Sequence, residues 1–174
     1  SATGILTGDS NNFEITNSAA TQVTWFVQPT NPTAAAADIT PTIQIRDTHG
    51  NIVTTGVDAT AEVTISIQDG SGSLNGTVSK QATAGVVSFG AAESMDITTA
   101  GFKTLRASKV ATSATGILTG DSNNFEITNS AATQVTWFVQ PTNPTAAGSD
   151  ITPTIQIRDT HGNVVTTGVD ATAE

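Results

Sequence analysis

Residues 39–46 read Ile-Thr-Pro-Thr-Ile-Gln-Ile-Arg and lead into Asp47-Thr48-His49-Gly50-Asn51. This stretch decides the fold class. Ile39, Pro41, Ile43 and Ile45 share one face, and Thr40, Thr42, Gln44 and Arg46 the other. Strict period-two alternation of apolar and polar residues is the pattern of a strand with one buried face. The turn after it carries a glycine at Gly50, free to take positive φ. The same alternation returns over residues 60–68, with Ala61, Val63, Ile65 and Ile67 inward.

Further strands follow on either side. Residues 22–28 (QVTWFVQ) form an apolar run that stops at Pro29-Thr30-Asn31-Pro32. Ala34 to Ala37 is too short for a stable helix and reads as a linker inside the domain. Asn75-Gly76 is a hairpin signal. Val78–Ala82 and Val86–Ala91 are two short strands joined through Thr83-Ala84-Gly85. Phe102–Val110 is another, with Leu105 and Ala107 inward and an irregular start at Phe102. Asn124–Thr128 closes the series with Phe125 and Ile127 inward. Seven or eight short strands, frequent turns and no helix predict an all-β, antiparallel sandwich of immunoglobulin-like, Greek-key type.

The chain then repeats itself. Ser1–Glu62 recurs as Ser113–Glu174, shifted by 112 residues, and the copies differ only at Ala36/Gly148, Ala37/Ser149 and Ile52/Val164. A shared fold alone does not demand such identity, because cores accept many apolar swaps. A fixed period marks a tandem array. The expected organisation is the last strand of a preceding repeat in 1–17, one whole repeat in 18–133, and the first strands of a following repeat in 134–174. About five residues, Asn129 to Thr133, separate consecutive repeats.

Composition narrows the function. The formal charge is −9, from six Lys/Arg against 15 Asp/Glu. That argues against nucleic acid, which needs a basic footprint, and suits a soluble surface protein whose copies must not clump. No segment is apolar enough for membrane insertion. There is no cysteine, hence no disulfide, and disulfides are permitted outside the cytosol without being required there.

The runs QVTWFVQPTNPTA, ITPTIQIRDTHGN, VTISIQDGSGSLNGT and AGFKTLRAS resemble the bacterial immunoglobulin-like tandem repeats of large exported surface proteins and adhesins. The matching residues are Gln28-Pro29, Arg46 to Asn51, Gly72 to Gly76 and Ala100 to Ala107. Trp25-Phe26 and the one-residue offset of Phe102 depart from the pattern. The resemblance implies an extracellular or cell-surface location and a structural role as a repeat in a fibre or stalk. It leaves open a multivalent carbohydrate- or receptor-binding module, and a passive spacer in an exported polysaccharide-degrading enzyme.

Candidate sites are few. His49, repeated as His161, stands alone in its turn and reads as solvated, while Asp47 reads as the cap of that turn. Asp121 and Asn123, with Asp47 or its copy Asp159, are candidate calcium ligands at a junction between repeats, although no calcium-loop spacing is present and a plain polar loop is the stronger reading. No cofactor other than calcium is expected. Trp25 aligns with Val23 and Val27 and is expected in the core or at a join between domains. Asn75-Gly76-Thr77 matches a glycosylation sequon but reads better as a hairpin tip. Lys80, Lys103 or Lys109 with an Asp or Asn would suit an intramolecular amide, but no spacing marks one. One histidine per period and no phosphate loop give no catalytic site, so a non-enzymatic role is expected. The terminal segments expose Phe13, Ile15, Ile151 and Ile155, which are expected to meet neighbouring copies, by continuation of the array or by strand exchange.

Overall fold

The computed structural model describes residues 7–172. Nine strands build the whole repeat: β1 (Ala20–Val27), β2 (Thr33–Ala34), β3 (Thr42–Asp47), β4 (Glu62–Asp69), β5 (Ser79–Gln81), β6 (Val86–Ser88), β7 (Gly101–Lys109), β8 (Leu118–Asp121) and β9 (Phe125–Thr128). Two more, β10 (Ala132–Val139) and β11 (Thr154–Asp159), repeat β1 and β3 one period later. The only helical pieces among the described residues are three short 3-10 turns. The protein is all-β.

Strands β1, β3 and β6 form one sheet, and β2, β9, β7, β4 and β5 the other in that order, with β8 also on β7. The sheets share one core. Ile39, Ile43, Ile45, Val63, Ile65, Leu105, Ala107, Phe125 and Ile127 are all buried, as alternation requires. Burying each of the Ile, Val, Leu and Phe side chains contributes about 1.5–3 kcal/mol. Among the inward faces read from sequence, Ile67 is only partly buried.

Several elements differ from the expectation, each for a physical reason. Thr33–Ala34, which overlaps the Ala34–Ala37 stretch expected as a linker, is a strand pairing in parallel with β9, Thr33 opposite Ile127 and Ala34 opposite Thr128. β5 and β6 do not pair as neighbours; β5 joins β4 and β6 joins β3. The Thr83-Ala84-Gly85 link therefore crosses from one sheet to the other. Asn75-Gly76 is not the tip of a free hairpin. The Asn75 and Thr77 N–H groups donate to the carbonyls of Asp96 and Glu93, and a Cβ on Gly76 would lie 2.1 Å from the Ser94 oxygen. That close approach, at φ 78°, explains the glycine.

β7 shows why its pattern looked irregular. Phe102 points outward at 62% exposure, and Lys103, Leu105, Ala107 and Lys109 make the inward stripe. Lysine is rarely buried without a partner. Lys109 has one: its Nζ lies 2.9 Å from Asp58 Oδ1, and both side chains are buried. The Thr112 and Thr115 hydroxyls also donate to the Asp58 carboxylate. Lys103, equally buried, donates to the Ala100 carbonyl at 3.4 Å.

β8 and β9 are one interrupted strand along a single edge of β7. At the break the Ser122 hydroxyl accepts the Leu105 N–H at 2.9 Å, replacing the missing ladder bond, while the Ser122 N–H donates to the Leu105 carbonyl. Of the Asp121–Asn124 stretch expected as a polar loop, Asp121 ends β8 opposite Arg106 and residues 122–124 make the interruption.

Candidate functional site: the joint between repeats

The chain passes from β9 to β10 through Asn129, Ser130 and Ala131. Such a short polar link could swing freely, but here Asn129 and Ser130 have fixed partners. The Asn129 Oδ1 accepts the backbone N–H groups of Thr166 and Thr167 at 2.9 and 3.1 Å, and both threonine hydroxyls donate to it as well. The Ser130 N–H donates to Asp159 Oδ2 at 2.9 Å. The link is therefore stapled to the downstream repeat. One period earlier the same staple is present: Asn17 Oδ1 accepts the Thr54 and Thr55 N–H groups, and the Ser18 N–H donates to Asp47.

Asp159 is the hub. Its carboxylate is fully buried and also accepts the N–H groups of His161 and Asn163, at 2.9 Å each, and the Asn163 side-chain amide at 2.8 Å. Burial alone pushes the carboxyl up. The Asn163 amide and the backbone donors of Ser130, Asn163 and His161 outweigh it and hold the group at about 2. Asp47, in the same turn one period earlier, is held below the usual carboxylate range by the equivalent donors, against the same burial.

The sign of the pH effect follows. A carboxyl whose folded pKa is depressed stabilises the fold above its unfolded value, and that contribution disappears as pH falls through the folded value. We therefore expect the joint to keep full stability down to about pH 4 and to lose it between about pH 4 and 2. A thermal melt series over that range checks this; a melting temperature that already declines between pH 6 and 5 would show other groups in control.

Asn163 carries the contact across the joint. Its Nδ2 donates to the Thr98 carbonyl at 2.8 Å and its Oδ1 accepts the Ala100 N–H at 2.9 Å, both in the preceding repeat. With the second Nδ2 hydrogen on Asp159, one amide ties the linker hub to the strand entry of β7. Ala34 of the preceding repeat and Ala132, Val165 and Val169 of the following one line a shallow cleft beside these bonds.

The residues singled out from sequence fall in different places. Trp25 is half-buried against the core, and its indole N–H donates to the Gly120 carbonyl at 2.9 Å. Asp121 forms a two-pronged pair with Arg106, Oδ1 to Nε at 2.7 Å and Oδ2 to Nη2 at 2.8 Å. The Asn123 N–H donates to the Gln28 side chain. Asp47 belongs to its turn, where its carboxylate accepts from Ser18, His49 and Asn51. Among the described residues no three His, Asp or Glu side chains converge as metal ligands would. His49 and His161 are exposed. Phe13, Ile15, Ile151 and Ile155 are exposed, at 55–85%. Residues 1–6 of the 1–17 segment lie outside the described residues.

Asn163, Asn129, Ser130, Thr166 and Thr167 were not singled out from sequence. The available signal was the Asn-Ser pair at the linker and the Asn that ends each DTHGN turn, repeated at a fixed period. Comparison with protein-family models, curated proteins and solved structures finds no match for this chain.

Proposed function

We propose that this chain is a segment of a structural array, in which immunoglobulin-like Greek-key repeats join end to end into an extracellular or cell-surface stalk or fibre of an adhesin-like bacterial protein. The observation that carries this reading is the stapled joint. A three-residue link whose backbone and side chains are held by Asp159, Thr166 and Thr167, and whose far side is bonded through Asn163 to Thr98 and Ala100, keeps consecutive repeats at one spacing. The sheet order, with the first segment of the repeat contributing β1 to one sheet and β2 to the other, supports the immunoglobulin-like assignment. Trp25 is half-buried with its indole N–H on the Gly120 carbonyl, which weakens the glycan-stacking alternative, while the adjoining Phe26 and Val27 are exposed. We read the repeat as non-enzymatic.

The array extends by covalent continuation or by strand exchange between copies. The central strands β4 and β7 hold the larger sheet together.

A strand rises about 3.3 Å per residue, so the nine-residue β7 spans about 30 Å, and with the turns and the link between repeats each repeat advances the rod by roughly 40 Å. Small-angle scattering is expected to show an extended particle, and a compact one would sink the stalk reading. Asn163→Ala is expected to leave the melting of the whole repeat within about 0.5 kcal/mol of wild type, since it lies outside that core. The same variant is expected to broaden the distribution of inter-repeat distances, measured between spin labels on β3 and β11. An unchanged distribution would show that the joint does not depend on this amide.

A further inference from the structure

Four hydrogen bonds in the repeat join residues separated in sequence by the same number. The Trp25 indole N–H donates to the Gly120 carbonyl at 2.9 Å, and the Asn123 N–H donates to Gln28 Oε1 at 2.9 Å. The Glu126 N–H donates to Asn31 Oδ1 at 3.0 Å, and the Thr128 hydroxyl donates to the Thr33 carbonyl at 3.5 Å. Every pair is 95 apart. The row ends in the parallel β2–β9 pair and the Ala35 N–H on the Thr128 carbonyl at 2.8 Å. A constant separation along a rising index means that the first and last segments of the repeat run in the same direction, in register.

The sequence explains why side chains do this work. Pro29 and Pro32 have no N–H, so the stretch after β1 cannot form an ordinary ladder with the β8–β9 edge. Gln28 and Asn31 supply the acceptors instead, and each takes a backbone N–H at the edge of the larger sheet.

The direction matters because of where the chain enters and leaves. The incoming link, Asn17 and Ser18, is bonded to the Asp47 turn and Thr54, beside the start of β1. The outgoing link follows β9 at the opposite end. Tension along the array would pull residues 25–35 toward the incoming link and 120–128 toward the outgoing one. Two parallel segments pulled oppositely along their length are sheared, so every bond in the row is strained together rather than opened one at a time.

We infer that residues 25–35 and 120–128 form a shear clamp that bears tension along the array, with Gln28 and Asn31 as its side-chain rungs; the inference rests on the stalk reading above. The test is constant-force single-molecule unfolding of the full chain held at its two termini. Forced unfolding is governed by the unfolding rate, and one rung is a hydrogen bond of ordinary strength. Gln28→Ala and Asn31→Ala should each unfold about 3- to 10-fold faster under load. Asn31→Asp, which keeps an accepting oxygen, should restore the wild-type rate. The control is Asn75→Ala, which removes a side-chain bond to Asp96 away from the row. At matched loss of bulk stability it should change the rate under load by less than twofold. Rates that rise equally for rung and control variants would overturn the clamp, as would an Asn31→Asp rate no slower than that of Asn31→Ala. Scattering separates the two ideas. A compact particle whose row still governs forced unfolding would remove the stalk and leave the clamp, and an extended particle indifferent to the row would do the reverse.

Discussion

Asp58→Ala is expected to destabilise the whole repeat by about 3–5 kcal/mol, the usual cost of stranding one member of a buried ion pair. The partner left behind is Lys109, whose ammonium sits 2.9 Å from the Asp58 carboxylate with no exposed side-chain surface. Thr112 and Thr115 would lose their acceptor at the same time. For a domain of this size the melting temperature should fall by at least about 10 °C. Two comparisons make the result diagnostic. Asp58→Ala with Lys109→Met should recover most of the loss, because replacing both members of a buried pair by apolar groups is often neutral. Asp170 is the same residue one period later, in the same local sequence, but it is exposed. Asp170→Ala should therefore change stability by less than about 0.5 kcal/mol. A large effect at both positions, or no recovery in the double variant, would show that the pair is not what matters.

The contrast between Asp58 and Asp170 also shows what sequence could and could not reveal. The faces of Ile39–Ile45 and of Ala61–Ile65 were legible because a half-buried strand has a period of two and nothing else competes. β7 was legible only in its middle. Leu105 and Ala107 announce an inward face, but Lys103 and Lys109 lie on that same face against the ordinary preference of lysine for water. Their burial depends on Asp58 and Ala100, which only the folded chain brings to them. β2 escaped because two residues carry no periodicity and its partner, β9, lies over 90 positions away. Asn75-Gly76 carried a strong local turn signal that tertiary packing redirected, since its neighbours bond to residues 93–96 rather than across a hairpin. The joint was visible as a repeat boundary and invisible as a mechanism. Nothing in DTHGN tells that its last residue will reach the backbone of Thr98 and Ala100 in another repeat.

Gly120→Ala is expected to be the other severe change. An added Cβ would stand 2.0 Å from the Val23 carbonyl oxygen and 3.0 Å from its carbon. Both atoms are backbone of β1, so no side-chain rotation can make room. β8 must move away from β1, and the Trp25 indole then loses the Gly120 carbonyl that it holds at 2.9 Å. Overpacking of a tight site costs about 1–3 kcal/mol, and an indole N–H deprived of its acceptor adds about 1 kcal/mol or more. Together these put the loss at about 3 kcal/mol, read as an early melting transition. Trp25 emission should shift to the red as its surroundings become wetter, with Trp137→Phe in the background to leave one reporter. Gly8 supplies the comparison, since it is the counterpart of Gly120 one period earlier and nothing lies within 4 Å of the position its Cβ would take. Gly8→Ala should leave the melting curve and the Trp25 spectrum unchanged. If Gly120→Ala melts like wild type, β8 does not seat against β1 as closely as Trp25 requires, and the first rung of the parallel row goes with it.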